Sequence, residues 1–376
     1  MFSVLAFLVI LTVLVLLHEL GHYVVARLCG VRAYEFGFGF PPRAIGFVKV
    51  KGKWKHVSGK DRTEYENTVW SINWLPLGGF VRLKGESYDD GMERDSLTAQ
   101  VGWKKFAILA AGVTMNWLLA ATIFCVGFMV GVPAVTQDLP ASAIVTNQHI
   151  EIMDVVAGSA ADKAGLKTGD TVRSINGQVV MNAERARAAL ADHANPDQTV
   201  TLGISRPGKD LFIDAKPAFL AELNRPGLGV ALSDIGTVRF PFFVAIGEGV
   251  SQSVRYTWLI ITGFGTLIHD LVLGRGPSAD LSGPVGIAVM TGGIVSQGWW
   301  ATLQFMAVLS LNLAVINFLP IPALDGGRAV FVITEAVRRK KNDPRFEAMV
   351  NQWGMVGLLI LVALVTLNDI RRYLLH

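Results

Sequence analysis

Four long apolar segments constrain this sequence more than any other feature. They cover residues 2–29, about 105–132, about 299–320 and about 353–368 of the 376-residue chain. A helix needs about 20 apolar residues to cross the hydrocarbon core of a bilayer. Charged residues make up only 17% of the chain, against ~25% in soluble domains. The sequence therefore predicts an integral membrane protein with four spanning helices and excludes an ordinary soluble enzyme.

The basic residues lie mainly beside these apolar segments, in residues 30–104 and 338–345. Loops rich in Lys and Arg normally stay on the cytoplasmic side of a membrane. This distribution predicts that both loops are cytoplasmic and that the long connection between the second and third spans is extracytoplasmic. The net charge of +4 then reflects membrane topology and not nucleic-acid binding.

The first loop, residues 30–104, carries alternating aromatic and aliphatic residues. Alternation with a period of two predicts strands, and we expect them over 43–55 and 65–83, with a break at Gly78 and Gly79. The segment is apolar for a loop, so it forms either a small sheet at the membrane surface or a hairpin at membrane depth. Three of its residues are candidates for substrate contact: Trp70, Ile72 and Trp74.

The chain is expected to be mainly α-helical, with one inserted α/β domain. The expected regions are 1–132 with two spans and the β-element, 133–240 with the inserted domain, 241–298 with an amphipathic helix and a loop, and 299–376 with the last two spans. The core of the inserted domain is predicted at 153–216. Ser159 and Asn182 there are helix N-cap candidates, and Asn176-Gly177 is a hairpin turn signal.

Residues 241–274 form a further apolar stretch whose interpretation stays open. It holds four ionisable residues within one helical length: Glu248, Arg255, His269 and Asp270. Such a composition favours an amphipathic helix at the membrane interface over a fifth span.

The first span contains the pattern H-E-x-x-H at residues 18–22. In a helix, His18 and His22 lie one turn apart on the same face, where both imidazoles can bind one Zn²⁺. Glu19 is then placed to accept a proton from a water molecule at the metal. Histidines and a carboxylate inside a membrane helix are costly and indicate function.

Zinc in a catalytic site needs a third protein ligand and one open position. The candidates near the other apolar segments are Asp325, Glu335, His269, Asp270 and Glu248. Asp325 is favoured, because it follows the third span at the end of the membrane where His18 is expected. The alternative role for Asp325 is that of a helix cap or turn residue.

These motifs resemble those of the site-2 proteases, specifically the bacterial RseP-type intramembrane metalloproteases. The resemblance joins H-E-x-x-H to the pattern N-x-x-P-x-x-x-L-D-G at 317–326, with a PDZ-like insert between them. It covers nearly the whole chain and includes F-G-F-G at 36–39, L-P-L-G-G-F-V-R at 75–82 and L-S-G-P-V-G at 281–286. The second span departs from the family pattern at Val113, where Pro is frequent, which is expected to affect the packing of Asn116 and not the chemistry.

The resemblance implies a set of residue roles. His18, His22 and Asp325 would be the zinc ligands and Glu19 the catalytic base. Asn312 and Asn317 would hold the substrate backbone, and the hairpin at 65–84 would be a membrane-reentrant β-element.

The resemblance also implies a cellular role. The chain would cleave single-span proteins in the bacterial inner membrane, such as anti-sigma factors or signal-peptide remnants, with its active site near the cytoplasmic side. Its extracytoplasmic PDZ-like domain would bind a peptide terminus or exclude large substrates, unless it is a passive spacer. Some family members carry two such domains, and this sequence shows one.

Two alternatives remain at the level of sequence. One is a metalloprotease whose motif lies in a soluble domain, with Glu335 as the third ligand. The other is a non-enzymatic zinc transporter or PDZ-bearing scaffold in the membrane. Glu19 beside His18 favours hydrolysis, because a metal-binding role alone does not need a base at that position.

Overall fold

The computed structural model describes residues 2–61, 63–86, 93–137, 139–193, 195, 198–206, 209–220, 225–274 and 282–373. It divides into two compact units, one formed by Met1–Phe124 with Gly249–His376 and the other by Cys125–Glu248. The helices are α1 Phe2–Leu28, α2 Gly102–Val130, α3 Ala160–Ala164, α4 Ala183–Asp192, α5 Phe242–Val272, α6 Pro284–Ser296, α7 Trp299–Phe318, α8 Asp325–Arg338 and α9 Pro344–Tyr373.

All of the strands lie between α1 and α5 in the described part of the chain. They are β1 Ala33–Val50, β2 Lys53–Ser58, β3 Val69–Leu83, β4 Val132–Val135, β5 Ile144–Val155, β6 Thr171–Ile175, β7 Gln178–Val179, β8 Val200–Arg206, β9 Lys209–Ala215, β10 Ala218–Leu220, β11 Arg225–Gly227 and β12 Val230–Arg239.

Four helices are long and apolar enough to cross a membrane: α1, α2, α7 and α9. They coincide with the four predicted spans, so the prediction of four long apolar helices is confirmed. Helix α9 begins at Pro344, earlier than the expected start near 353, because proline is well suited to the first turn of a helix. Helix α5 covers the predicted amphipathic stretch and is not among the candidate spans in the described part of the chain.

Part of the expected loop before residue 298 is helical, and this corrects the sequence prediction. Residues 284–296 form α6, which begins after Gly283 with Pro284 in its first turn. The N–H of Gly286 donates to the buried carboxylate of Asp369 at 2.7 Å. Helix α6 packs against α1, α7 and α9. It is apolar on all sides, so the sequence lacks the periodicity that reveals an amphipathic helix.

The predicted β-element is a three-stranded sheet with the order β2-β1-β3. Strand β3 turns back on itself, so that Phe36 of β1 pairs with Val81 on one side and with Trp70 on the other. The predicted break at Gly78 and Gly79 is wrong, because β3 continues through both residues. Gly78 has a positive φ of 66°, which lets the strand bend without interruption. β3 divides into a first arm, 69–74, and a second arm, 79–83.

The unit Cys125–Glu248 contains an antiparallel sheet with the order β4-β12-β5-β6-β8-β9, in which β7 also pairs with β6. Its core is a cluster of aliphatic side chains from the strands and the two short helices, including Ile150, Ile152, Val172, Leu202 and Ile204. The predicted extent of the inserted domain, 133–240, stays a prediction.

The local signals predicted in this unit are present. The Ser159 side chain accepts from the N–H of Asp162 at the start of α3, and the Asn182 side chain accepts from that of Arg185 at the start of α4. Asn176 and Gly177 both have positive φ, as a type I′ turn between β6 and β7 requires.

Candidate metal centre

Two helices bring three potential metal ligands together. His18 and His22 lie one turn apart on α1, and Asp325 is the first residue of α8. The Asp325 Oδ2 atom lies 3.0 Å from His18 Nε2 and 3.2 Å from His22 Nε2, and the two Nε2 atoms are 3.2 Å apart. Among the described residues, this is the one group of three His, Cys, Asp or Glu side chains close enough to hold a metal ion.

The triangle of donor atoms fits tetrahedral zinc. Zinc binds imidazole nitrogen and carboxylate oxygen at about 2.0–2.2 Å, so tetrahedral ligands lie about 3.3 Å apart. The three observed separations of 3.0–3.2 Å are close to that value. Two His and one carboxylate are also a donor set typical of catalytic zinc, which leaves a fourth position for water or substrate.

Helix α2 supports the histidines from behind. A Cβ atom on Gly112 would lie 2.4 Å from His22 Nε2 and 2.7 Å from His18 Nε2, so only glycine fits there. A Cβ atom on Gly21 of α1 would lie 2.4 Å from the carbonyl oxygen of Ala111. This close approach lets the Nδ1–H of His22 donate to the carbonyl of Ile108 at 2.7 Å, which leaves its Nε2 atom free to bind metal.

The turn before α8 places Asp325. A Cβ on Gly326 would lie 2.2 Å from the carbonyl oxygen of Leu319, and one on Gly327 would lie 2.2 Å from that of Ile321. The two glycines of the L-D-G-G segment therefore allow the end of α7 to fold tightly onto the start of α8. Burial raises the pKa of the Asp325 carboxyl, but the two histidines lower it further, so its pKa lies below the usual range.

Glu19 contacts the β-element. Its Oε2 atom accepts a hydrogen bond from the backbone N–H of Val81, in the second arm of β3, at 3.1 Å. The start of the second arm and Gly78 before it pack on α1, because Gly78 and Gly79 have no side chain that would collide with Val15 and Leu16. The backbone of β3 is thus held directly beside the H-E-x-x-H turn.

The predicted substrate-contacting residues of β3 lie on the first arm. Trp70 packs against Tyr23 and Phe36, with ring centroids 5.3 and 5.2 Å away. Ile72 and Trp74 are exposed. The hydrogen bond to Glu19 comes from Val81 on the second arm.

The two predicted asparagines lie on α7 and are half-buried. The Nδ2 group of Asn312 donates to the Val308 carbonyl in its own helix at 3.0 Å. Asn317 lies in the last turn of α7, before the segment that leads to Asp325.

The other candidate third ligands have different surroundings. Glu335 pairs with Lys105 at 3.4 Å and accepts from the Asn342 N–H at 3.0 Å. His269 and Asp270 contact each other at 3.4 Å on α5. Glu248 is also outside the three-residue cluster.

A cavity of about 530 Å³ is lined by residues of α2, α8 and α9, and its lining does not include His18, His22 or Asp325. Its lining reaches Leu109, next to Ile108, and Ala323, two residues before Asp325. The charged residues that line it are Glu86, Lys105, Arg328, Glu335, Lys341 and Glu347. A cavity with this lining can hold water.

Sequence reasoning missed three contributors to the centre. The carbonyl of Ile108 and the N–H of Val81 are backbone groups, which no residue pattern identifies. Asn116 lies 3.4 Å from His18 through its side chain. A signal for it existed in the sequence, because an amide side chain inside an apolar span is costly and needs a hydrogen-bond partner.

Comparisons with known proteins agree with the chemistry of this cluster. The sequence model described as Peptidase family M50 matches residues 6–58 and 59–361. A protein of Agrobacterium fabrum that is provisionally named a zinc metalloprotease is 31% identical over 97% of this chain and 94% of its own length. The Regulator of sigma-W protease RasP of Bacillus subtilis is 30% identical over 98% of both chains.

Among solved structures, the PDZ domain of an SdrC-like protein of Listeria monocytogenes is similar to part of the chain. It covers 24% of this chain and 92% of its own, with 22% identity and a TM-score of 0.21.

Proposed function

The chain belongs to peptidase family M50, the site-2 proteases, and from this premise we propose that it is a zinc-dependent intramembrane endopeptidase. Its substrates are transmembrane segments of single-span membrane proteins. The observation that carries the proposal is the triangle of His18, His22 and Asp325 donor atoms, with Glu19 in the same helical turn.

In this proposal His18, His22 and Asp325 hold the metal. When bound, Zn²⁺ supplies Lewis acidity that polarises the scissile carbonyl and lowers the pKa of a coordinated water. The Glu19 carboxylate would accept a proton from the water whose oxygen attacks the scissile carbonyl carbon, and would pass that proton to the amine nitrogen as the C–N bond breaks. The N–H of Val81 holds Glu19 in position through its hydrogen bond.

Cleavage also requires an unwound substrate, because the carbonyls of a transmembrane helix are hydrogen-bonded within it. The second arm of β3 lies beside Glu19 and pairs with β1 on one side. We infer that the unwound segment adds along this arm as a further strand, which replaces its lost backbone hydrogen bonds. Asn312 and Asn317 would supplement these bonds with their side-chain amides.

Water must reach the centre from an aqueous side of the membrane. We propose that water enters through the cavity of about 530 Å³, whose lining is partly charged and includes Ala323, two residues before Asp325. The basic residues of 30–104 and 338–345 support a cytoplasmic location for this end of the protein. The predicted PDZ-like domain would then be extracytoplasmic, where it binds a peptide terminus or excludes large substrates.

The name of one relative supports the proposed substrate class. The relative in Bacillus subtilis is named a regulator of sigma-W protease. By analogy, we propose that this chain acts in the bacterial inner membrane on single-span regulators such as anti-sigma factors, or on signal-peptide remnants.

The test combines metal analysis with cleavage of a model single-span protein by the purified full-length chain. Glu19→Gln is expected to retain zinc and lose cleavage, because only the proton acceptor is removed. Asp325→Asn is expected to lose zinc, whereas the control Glu335→Gln, at a rejected ligand candidate, keeps it.

The same experiment separates hydrolysis from the alternatives. A zinc transporter or a scaffold would bind metal and show no cleavage in the wild type. Zinc binding that depends on Glu335 and not on Asp325 would favour a different metal site.

A further inference from the structure

The two histidines of the cluster differ in what holds their second ring nitrogen. His22 Nδ1 contacts the backbone carbonyl of Ile108 at 2.7 Å. His18 Nδ1 contacts the side-chain amide of Asn116 at 3.4 Å. A backbone carbonyl only accepts hydrogen bonds, whereas a carboxamide can accept or donate depending on which of its atoms faces the ring.

These partners lie on one face of α2. Ile108, Gly112 and Asn116 follow each other at intervals of four residues, so they form a row along the helix. The row presents a carbonyl to His22, a gap at Gly112 for both imidazoles, and an amide to His18. The spacing matches that of the two histidines on α1.

Asn116 is held firmly in this position. Asn116 is fully buried, and its backbone carbonyl accepts a hydrogen bond from the Ser310 hydroxyl of α7 at 2.8 Å. Its Oδ1 atom is buried without a hydrogen-bond partner among the described residues. A half-turn of the carboxamide exchanges Oδ1 with Nδ2 and places this unpaired acceptor beside His18 Nδ1.

The chemistry of the zinc site selects that orientation. A neutral imidazole that binds metal through Nε2 carries its proton on Nδ1, and this N–H needs an acceptor. The Nδ2 group of Asn116 cannot accept, but Oδ1 can. We propose that Asn116 is a positioning residue, whose Oδ1 accepts from His18 Nδ1–H and fixes the ring for metal binding.

This inference rests on the proposed zinc site and goes beyond it. It assigns to Asn116, for His18, the part that the Ile108 carbonyl plays for His22. Asn116 acts through its side chain, which mutation can change. Loss of such a partner typically weakens metal binding 10–100-fold.

The test measures zinc affinity by competition with a chelator, using purified full-length protein. Asn116→Leu and Asn116→Ala, which have no acceptor, are expected to bind zinc roughly 10–100-fold more weakly than the wild type. Asn116→Asp keeps an oxygen acceptor at the same place and is expected to retain the wild-type affinity or exceed it. The matched control is Thr114→Val, at an exposed residue of α2 whose hydroxyl bonds within its own helix, and its affinity should not change.

Two results would overturn the inference. One is a folded Asn116→Ala protein with zinc affinity within twofold of the wild type. The other is an Asn116→Asp protein that loses affinity as Asn116→Leu does, which indicates a packing role. If Asn116→Leu does not fold, the pair Asn116→Ala and Asn116→Asp decides the matter. A wild-type protein without zinc affinity would instead refute the metal site, and this inference with it.

Discussion

The apolar helices around the metal cluster and the Cys125–Glu248 unit bury different kinds of residues. In the Cys125–Glu248 unit the largest fully buried side chains are aliphatic, such as Ile152, Leu202 and Val200, although Asp170 is buried there as well. In the helices, buried positions include His18, Asn116, Ser310 and Asp369, and large apolar side chains are exposed. Asp369 is the one buried residue of α9.

The difference follows from the solvent that each region meets. In water, burial of apolar surface stabilises the fold at about 25 cal/mol per Å². In a bilayer, lipid is as apolar as Leu, so helices associate through close packing and polar contacts. Buried polar residues in the helices thus contribute to packing and form the metal cluster beside buried apolar side chains such as Ile108 and Leu311, whereas in the other unit the aliphatic core provides the main stability.

The largest effect should come from the closest contact between α1 and α2. Gly112→Ala would push a methyl group against both imidazoles. We expect loss of zinc and a fall in cleavage of at least about 100-fold, as displacement of reacting groups by about 1 Å can cause. Metal analysis and a cleavage assay measure both. The control is Gly263→Ala on α5, where nothing lies within 4 Å; equal behaviour of the two variants would contradict the prediction.

A second test compares apolar residues in the two environments. Leu202 lies on β8 in the aliphatic core of the Cys125–Glu248 unit. Leu202→Ala should lower the free energy of unfolding by about 2–5 kcal/mol. Leu359→Ala on α9, where 60% of the residue is exposed, should cost little because lipid replaces the lost contacts. Thermal unfolding and amide exchange of the full chain measure the two effects. A similar loss of unfolding free energy for both variants would contradict the proposed difference between the Cys125–Glu248 unit and the apolar helices.

The third test asks whether backbone groups of β3 serve the reaction. Val81→Pro removes the N–H that binds Glu19, and we expect about a tenfold loss of cleavage, comparable to one hydrogen bond to a charged group. Zinc content should not change. Trp74→Ala, on the first arm, should reduce cleavage less. The opposite order of effects would mean that the substrate follows the first arm, as the sequence had suggested.

The smallest effect concerns a charged pair in the Cys125–Glu248 unit. Burial raises the pKa of Asp170, but Arg206, with contacts at 2.7 and 2.8 Å, lowers it further, so the folded-state pKa lies below its usual value. A lowered pKa stabilises the fold above the unfolded value of about 3.9, and this stability is lost as the pH falls through the folded-state pKa.

Arg206→Met should therefore lower the free energy of unfolding by about 1–2 kcal/mol at neutral pH, and the difference should shrink below about pH 4. Unfolding at a series of pH values measures it. The control, Arg173→Met, breaks an exposed pair 3.9 Å apart with Asp210 and should change little. A difference between Arg206→Met and wild type that grows as the pH falls would contradict the assignment.

Much of the secondary structure was predictable, because the sequence patterns that indicate it involve only neighbouring residues. The four spans follow from hydropathy, and the caps at Ser159 and Asn182 follow from side-chain chemistry within one turn. Helix α6 escaped prediction because its apolar residues have no periodicity, although Pro284 marks its first turn. The continuity of β3 through Gly78 escaped for a similar reason, since glycine permits both a break and a bend.

The sequence by itself determined where the apolar helices lie, and it placed His18, Glu19 and His22 on one helical turn, because helix geometry depends on neighbouring residues alone. Only the tertiary structure decided that Asp325, 307 positions from His18, completes the cluster and that Glu335 does not. It also decided that Val81 meets Glu19 and that Asn116 meets His18. These contacts join separate elements whose approach depends on the packing of glycines at their interfaces, and no local pattern records how two distant segments pack.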